Sequence, residues 1–250
     1  MANSAPPWAT AATRHLRRAD PVMARIIGEV GALELAHRAE RFRALARAII
    51  FQQLAGAAAN AIYNRVVTQI GGGRFPTPAQ VLTAGDEQLR AAGLSRGKMS
   101  YLRDLATHVR DGTLNFHRFA RMDDEAVIAD LTRVKGIGRW TAEMFLMFNL
   151  RRPDVLPVDD LGLRNAAGKM YALPAAPTAK ELRAMGESWR PYRTAASWYL
   201  WQSARIITPG TVAPVKAKRK ARPIAKKLPT TKALAAAGRP PKTPALVPTS

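Results

Sequence analysis

"LTRVKGIGRWTAEMFLMF" occupies residues 131–148, and its reading decides the fold. Apolar residues at helical spacing run to Val134, stop at Gly136-Ile137-Gly138, and resume with Trp140 and Ala142. Two helices are joined by a very small turn. Glycine tolerates positive φ and leaves no side chain in the way of an approaching backbone. The helix that starts at the turn has first-turn N–H groups without internal partners, and its dipole favours an anion there. The amides of Gly136, Gly138 and Arg139 could receive a phosphate, with Lys135 and Arg139 adding charge beside it. For a G-x-G taken alone, a tight turn that binds nothing is the competing interpretation.

Composition points to the same kind of partner. The 250-residue chain carries a formal net charge of +21, which calls for a polyanion. Residues 213–250 hold ten Lys and Arg and no acid; 29 basic and 18 acidic residues remain in the rest of the chain. No apolar stretch approaches a membrane span, and the N-terminal segment lacks the apolar core of a secretory signal. Nucleic acid is the expected partner, in a cytoplasmic, nucleoid-associated setting. Cysteine is absent, which excludes disulfides, thiolate metal sites and iron–sulfur clusters. His15, His37, His108 and His117 fall at no metal-ligand or catalytic spacing.

The remaining periodicity is helical. "RFRALARAIIFQQ" (41–53) puts Phe42, Leu45, Ile49 and Ile50 on one face. "AGAAANAIYNRVVTQI" (55–70) does so with Ala58, Ile62 and Val66. Thr77 before Pro78 reads as a helix cap, Asp86 as another, and acids open the helix at 123–134. No alternating run suggests a strand. The expectation is an all-α fold of about ten helices, in two lobes with a cleft between them. Residues 1–19 are expected to be loose, 20–209 to form the helical domain, and the Lys/Ala/Pro-rich segment 210–250 to be disordered.

Four segments in order carry a resemblance. The stretch 131–148 resembles the helix–hairpin–helix element, which grips DNA backbone without reading bases. "VKGIGRWTAEMFLMFNLRRPDVLPVDDLGLRN" (134–165), "AIIFQQLAGAAANAI" (48–62), "GLSRGKMSYLRDLA" (93–106) and "WRPYRTAASWYLW" (189–201) resemble the alkylbase branch of the helix–hairpin–helix DNA glycosylases, the DNA-3-methyladenine glycosylase II type. The likeness covers roughly residues 20–206. The chain departs from that pattern at Gly56, where a serine is usual. It also has too little sequence before residue 20 for the amino-terminal β-domain of some members, and its tail has no counterpart.

The resemblance implies roles. Asp160 matches the catalytic aspartate, and its neighbour Asp159 is expected only to bond backbone. Without the resemblance, Asp160 reads as an N-cap of the next helix; both can hold. Gln53 matches the wedge that fills the gap left by a flipped nucleotide. Trp201 and Trp140 match aromatics of the base pocket; core packing is the alternative for either. Relatives that cut the strand carry a lysine where Trp140 stands, so a monofunctional enzyme is implied. In the family, carbonyls at the hairpin can hold a monovalent cation, here those of Thr132, Val134 and Ile137. No other cofactor is implied. The expected activity is excision of alkylated, cationic purines from double-stranded DNA by a monomer. A non-catalytic DNA-binding protein and a glycosylase for another damaged base remain the alternatives.

Overall fold

The computed structural model describes residues 4–35 and 40–206. The basic segment from 210 onward, expected to be disordered, lies outside the described residues. Twelve α-helices form among the described residues: α1 Ala9–Ala19, α2 Pro21–Val30, α3 Arg41–Phe51, α4 Gly56–Arg65, α5 Pro78–Thr83, α6 Asp86–Ala91, α7 Arg96–Arg110, α8 Asp124–Thr132, α9 Arg139–Phe148, α10 Leu161–Met170, α11 Ala179–Met185 and α12 Arg193–Ile206. The fold is all-α, and among the described residues the only β-type pairing is one isolated bridge, Ser4 to Leu35. None of these helices is long and apolar enough to cross a membrane.

Two hydrophobic cores build two lobes. The middle of the chain, α3 to α9, packs around Leu45, Ile49, Leu105, Phe119, Leu131 and Phe145. The second core joins both ends of the described chain: Leu16, Met23 and Ile26 of α1 and α2 meet Leu163, Trp189, Tyr199 and Leu200. Phe148 and Trp201 pack against both cores and line the seam.

Local signals set most helix boundaries. Thr77 and Gln80 form a reciprocal capping box at α5, and Thr178 and Glu181 do so at α11. Ser95 caps α7 and Asp123 caps α8, each accepting a backbone N–H.

Three expectations fail for identifiable reasons. Most of the segment expected to be loose is helical: α1, Ala9–Ala19, buries Ala9, Ala12 and Leu16 against the second core. An alanine stripe is a weak hydrophobic signal but a strong helix former, and the basic residues around it hide the period. At α6 the cap position is Gly85; Asp86 is the first helical residue and supports the dipole with Glu87. In 55–70 the buried face is Ala59, Tyr63, Val66 and Ile70, not the face of Ala58 and Ile62. Tyr63 takes the core position because its ring stacks on Phe75 at 5.4 Å and its hydroxyl accepts from Arg43 Nε. The helix then loosens into a π-helical turn at Val66–Ile70.

Candidate active site and DNA-binding hairpin

The turn between α8 and α9 is a close-packed corner. Gly136 has φ +80°, and a Cβ there would lie 2.4 Å from the Tyr101 ring. Only glycine fits. Gly138 differs: it has φ −92° and open space where a Cβ would go, and it serves as the residue before α9. The buried side chains of Val134 and Ile137 anchor the turn in the first core. Among the described residues, the amides of Gly136, Gly138 and Arg139 reach no acceptor, so they stand available to an anion.

The charges beside the turn are less free than the sequence suggests. Lys135 Nζ lies 3.4 Å from Asp104, whose other oxygen accepts the Lys135 amide. Arg139 donates twice to Glu125 and once, at 3.1 Å, to Glu143. These acids hold the guanidinium firmly in its charged form. Glu143 is 5% exposed, and burial pushes its carboxyl up to about 7 in spite of Arg139. Among the sequence-derived anion groups, the backbone amides rather than the two side chains are the open ones.

Gln53 ends the turn after α3. It is exposed and has φ +56°, an uncommon state for a residue with a Cβ. Two residues not singled out in the sequence hold this loop. Lys98 Nζ donates to the carbonyls of Ile50, at 2.7 Å, and Gln52, at 2.9 Å. Gln52 Nε2 donates to the carbonyl of Gly136 at 2.7 Å. The loop bearing Gln53 is tied through its neighbour to the hairpin, 84 residues away. The signal was present in the paired glutamines and in the lysine of the 93–106 segment, but their contacts are invisible in spacing.

Asp160 is the N-cap of α10, as its position before "LGLRN" suggested, and its Oδ1 accepts the Leu163 amide at 2.6 Å. Its loop is fixed from behind by α12: the Thr194 hydroxyl donates to the Arg152 carbonyl and accepts from the Val155 amide. Arg193 forks onto Asp154 in the same loop. Two indoles complete the Asp160 environment. Trp140 Nε1 donates to Oδ2 at 2.7 Å, and Trp201 Nε1 donates to Oδ1 at 3.1 Å. An ionised carboxylate is acceptor-only and satisfies all three donors. Gly162 leaves room for this cluster, since a Cβ there would meet Oδ1 at 3.2 Å. Asp159 is exposed and makes no hydrogen bond among the described residues, so the backbone-bonding part expected of it falls to Asp160 itself.

A cavity of about 440 Å³ opens beside this carboxylate, lined by Trp140, Met144, Phe148, Trp198, Trp201 and Asp160, with Glu34, Gln202 and Arg205 at its polar side. Trp140 is 50% exposed, so its ring face is open although its N–H is tied. Trp201 rests on Phe148 at 6.2 Å. A second, more apolar cavity of about 460 Å³ shares Trp140 and Met144 and reaches Gln52 and Gln53. A larger cavity, about 710 Å³, is lined mainly by charged side chains and touches neither Asp160 nor either indole, so size alone does not mark the site. The structure brings Asp160, Trp140 and Trp201 into direct contact, and Gln53 lies on the second cavity, which shares only Trp140 of the three.

At the hairpin, Val134 O accepts the Ile137 amide at 3.0 Å. The carbonyls of Thr132 and Ile137 accept no hydrogen bond among the described residues. Among the described residues no cluster of His, Asp and Glu is arranged to hold a metal ion.

Comparisons with known proteins agree with this geometry. The chain is 38% identical over 185 residues to the DNA-3-methyladenine glycosylase 1 of Schizosaccharomyces pombe, covering 74% of this chain and 81% of that protein. The solved 3-methyladenine DNA glycosylase of S. pombe in complex with abasic DNA superposes with a TM-score of 0.67 at 38% identity, covering 79% of this chain and 98% of that one. A DNA-3-methyladenine glycosidase from Bacillus halodurans gives a TM-score of 0.73 at 37% identity, over 81% of this chain and 91% of that one. The model of the HhH-GPD superfamily base excision DNA repair proteins matches residues 46–191. With its hairpin, its capped aspartate and more than half its length in register with that model, the chain belongs to the HhH-GPD superfamily of base excision DNA repair proteins.

Proposed function

We propose that this protein is a monofunctional DNA glycosylase. It flips alkylated, cationic purines such as 3-methyladenine out of double-stranded DNA, hydrolyses the N-glycosidic bond and leaves an abasic site. The observation that carries this reading is the Asp160 carboxylate held by two indoles at the wall of an aromatic cavity. The relatives named for 3-methyladenine support the same choice of substrate.

The chemistry follows from charge. Cleavage builds positive charge on the deoxyribose, and a fixed carboxylate stabilises it without reorganising. The same carboxylate can orient the attacking water. A base carrying an alkyl group at N3 or N7 is already cationic and leaves neutral, so no general acid is needed. Indole faces attract such a base by ~0.5–2 kcal/mol of cation–π energy. Before chemistry the nucleotide must leave the stack, and Gln53 occupies the gap. The hairpin amides hold the phosphate backbone, and the carbonyls of Thr132, Val134 and Ile137 would be the ones to hold a monovalent cation, which would add positive charge there.

Strand cleavage is not part of the reaction. Trp140 stands where an amine nucleophile would be needed, Lys135 is paired with Asp104, and Lys98 is engaged by two carbonyls. No lysine lines the Asp160 cavity among the described residues. The enzyme acts as a monomer in the cytoplasm, on the nucleoid.

Asp160→Asn tests the assignment. Asparagine caps a helix about as well as aspartate, so the melting temperature should hold within a few degrees. Base release from methylated duplex should fall by at least about 100-fold. Near-normal release by this variant would sink the reading, and trapping of a covalent adduct by borohydride would sink the monofunctional part alone.

A further inference from the structure

Glu34 is an acid at the mouth of the Asp160 cavity, on the segment that follows α2. Its position is imposed by its neighbours. Leu33 and Leu35 are 3% and 0% exposed and pack in the second core, so the residue between them faces outward. The segment is pinned at both ends. Tyr199 of α12 donates its hydroxyl to the Gly31 carbonyl at 3.0 Å, and Leu35 pairs with Ser4.

The charged side chains of this cavity are Glu34, Asp160 and Arg205. They differ in what they have left to offer. The Asp160 oxygens already accept three N–H groups from Leu163, Trp140 and Trp201. Glu34 makes no hydrogen bond or ion pair among the described residues, so its carboxylate is the open acceptor. The α12 wall is laid out at helical spacing: Trp198, Trp201, Gln202 and Arg205 share one face, and Trp201 is the one bonded to Asp160.

We propose that Glu34 selects the charge of the flipped base, its carboxylate facing the positive ring and accepting N–H bonds from it, so that a cationic base is held in preference to a neutral one of the same shape. This rests on the glycosylase reading above and deepens it. An aromatic wall attracts a cation but also stacks any neutral base, whereas a nearby carboxylate discriminates by formal charge. The gain belongs to the bound base. When the glycosidic bond breaks, positive charge leaves the base for the sugar, where Asp160 acts. Affinity is therefore the quantity that reports Glu34.

The test uses three duplexes and the full-length protein. One carries a single 2′-fluoro-7-methyldeoxyguanosine, a cationic base whose bond resists hydrolysis. The second carries 7-methyl-7-deazaguanine, the neutral isostere, and the third an abasic site. Wild-type protein should prefer the cationic duplex over the isostere by about tenfold, and Glu34→Gln should cut that preference to about twofold, as loss of one opposite charge at close range requires. Affinity for the abasic duplex, which presents no base, should be the same in both. An undiminished preference in Glu34→Gln overturns the proposal while leaving the glycosylase reading intact. An equal loss on all three duplexes also overturns it, since Glu34 would then serve folding or the DNA backbone. If wild-type protein binds neither modified base better than undamaged duplex, the base-recognition reading itself has failed, and this proposal with it.

Discussion

Trp140 Nε1 donates to Asp160 Oδ2 at 2.7 Å, across a sequence separation of 20 residues. A residue of the hairpin helix thereby fixes the carboxylate at the start of α10, and its own ring is oriented by the same bond. The aromatic wall and the Asp160 carboxylate are one unit.

Trp140→Phe separates the two parts of that unit. Phenylalanine keeps an aromatic face but cannot donate. The single-turnover rate of 3-methyladenine release should fall roughly tenfold, the worth of one hydrogen bond to a charged group. Affinity for abasic duplex should change less than the rate does. A variant with full rate would mean that Trp201 and Leu163 alone position Asp160.

Gln53 can be tested against its own backbone. At φ +56° a glycine is more comfortable than a residue with a Cβ, so Gln53→Gly should melt at an equal or higher temperature, a gain of about 1 kcal/mol. The same variant should lose about tenfold in affinity for an abasic duplex relative to undamaged DNA, because the flipped state loses its wedge. Gln53→Ala should share the binding loss without the gain in stability. Parallel losses on damaged and undamaged duplex would reduce Gln53 to a plain backbone contact.

The two hairpin glycines should separate cleanly. Gly136→Ala drives a methyl group into the Tyr101 ring at a positive φ and should cost roughly 2–4 kcal/mol in a denaturant titration. Gly138→Ala meets open space at an ordinary φ, so the fold should tolerate it. Its effect should appear in DNA affinity, where the added methyl group stands beside the open amides of Gly138 and Arg139. Unaltered affinity would move the backbone contact away from this turn.

Glu143 gives a pH signature. Its carboxyl is raised from 4.5 to about 7 by burial, so between those values the folded protein binds more protons than the unfolded chain. The stability this group lends is fully present below about 4.5 and is lost as pH rises through about 7. Glu143→Gln keeps an acceptor for Arg139 without the charge. It should flatten the pH dependence and, at pH 8, stabilise the protein by roughly 2–3 kcal/mol. Melting curves at pH 5 and pH 8 for both proteins check this, and parallel pH dependences would show that Glu143 ionises freely.

Much of this molecule was legible in the sequence. The Gly136-Ile137-Gly138 turn, the Thr77 cap and the face of Phe42, Leu45 and Ile49 are local matters, fixed by φ preferences, capping bonds and a period of 3.6 residues. Asp160 as a helix cap was of the same kind. What the sequence did not contain is which donors and charges meet once the helices pack. Spacing did not reveal that Trp140 and Trp201 both point their N–H groups at Asp160. It did not reveal that Lys98 and Gln52 lock the Gln53 loop to the hairpin, or that Asp104, Glu125 and Glu143 neutralise the cations beside the turn. It also led to a loose N-terminus where α1 packs, because a stripe of alanines gains its hydrophobic stabilisation only from the partner it meets. Helices are set by neighbours along the chain, so a sequence spells them out. A site built from residues 20, 41 and 84 positions apart is decided by how two cores close on each other.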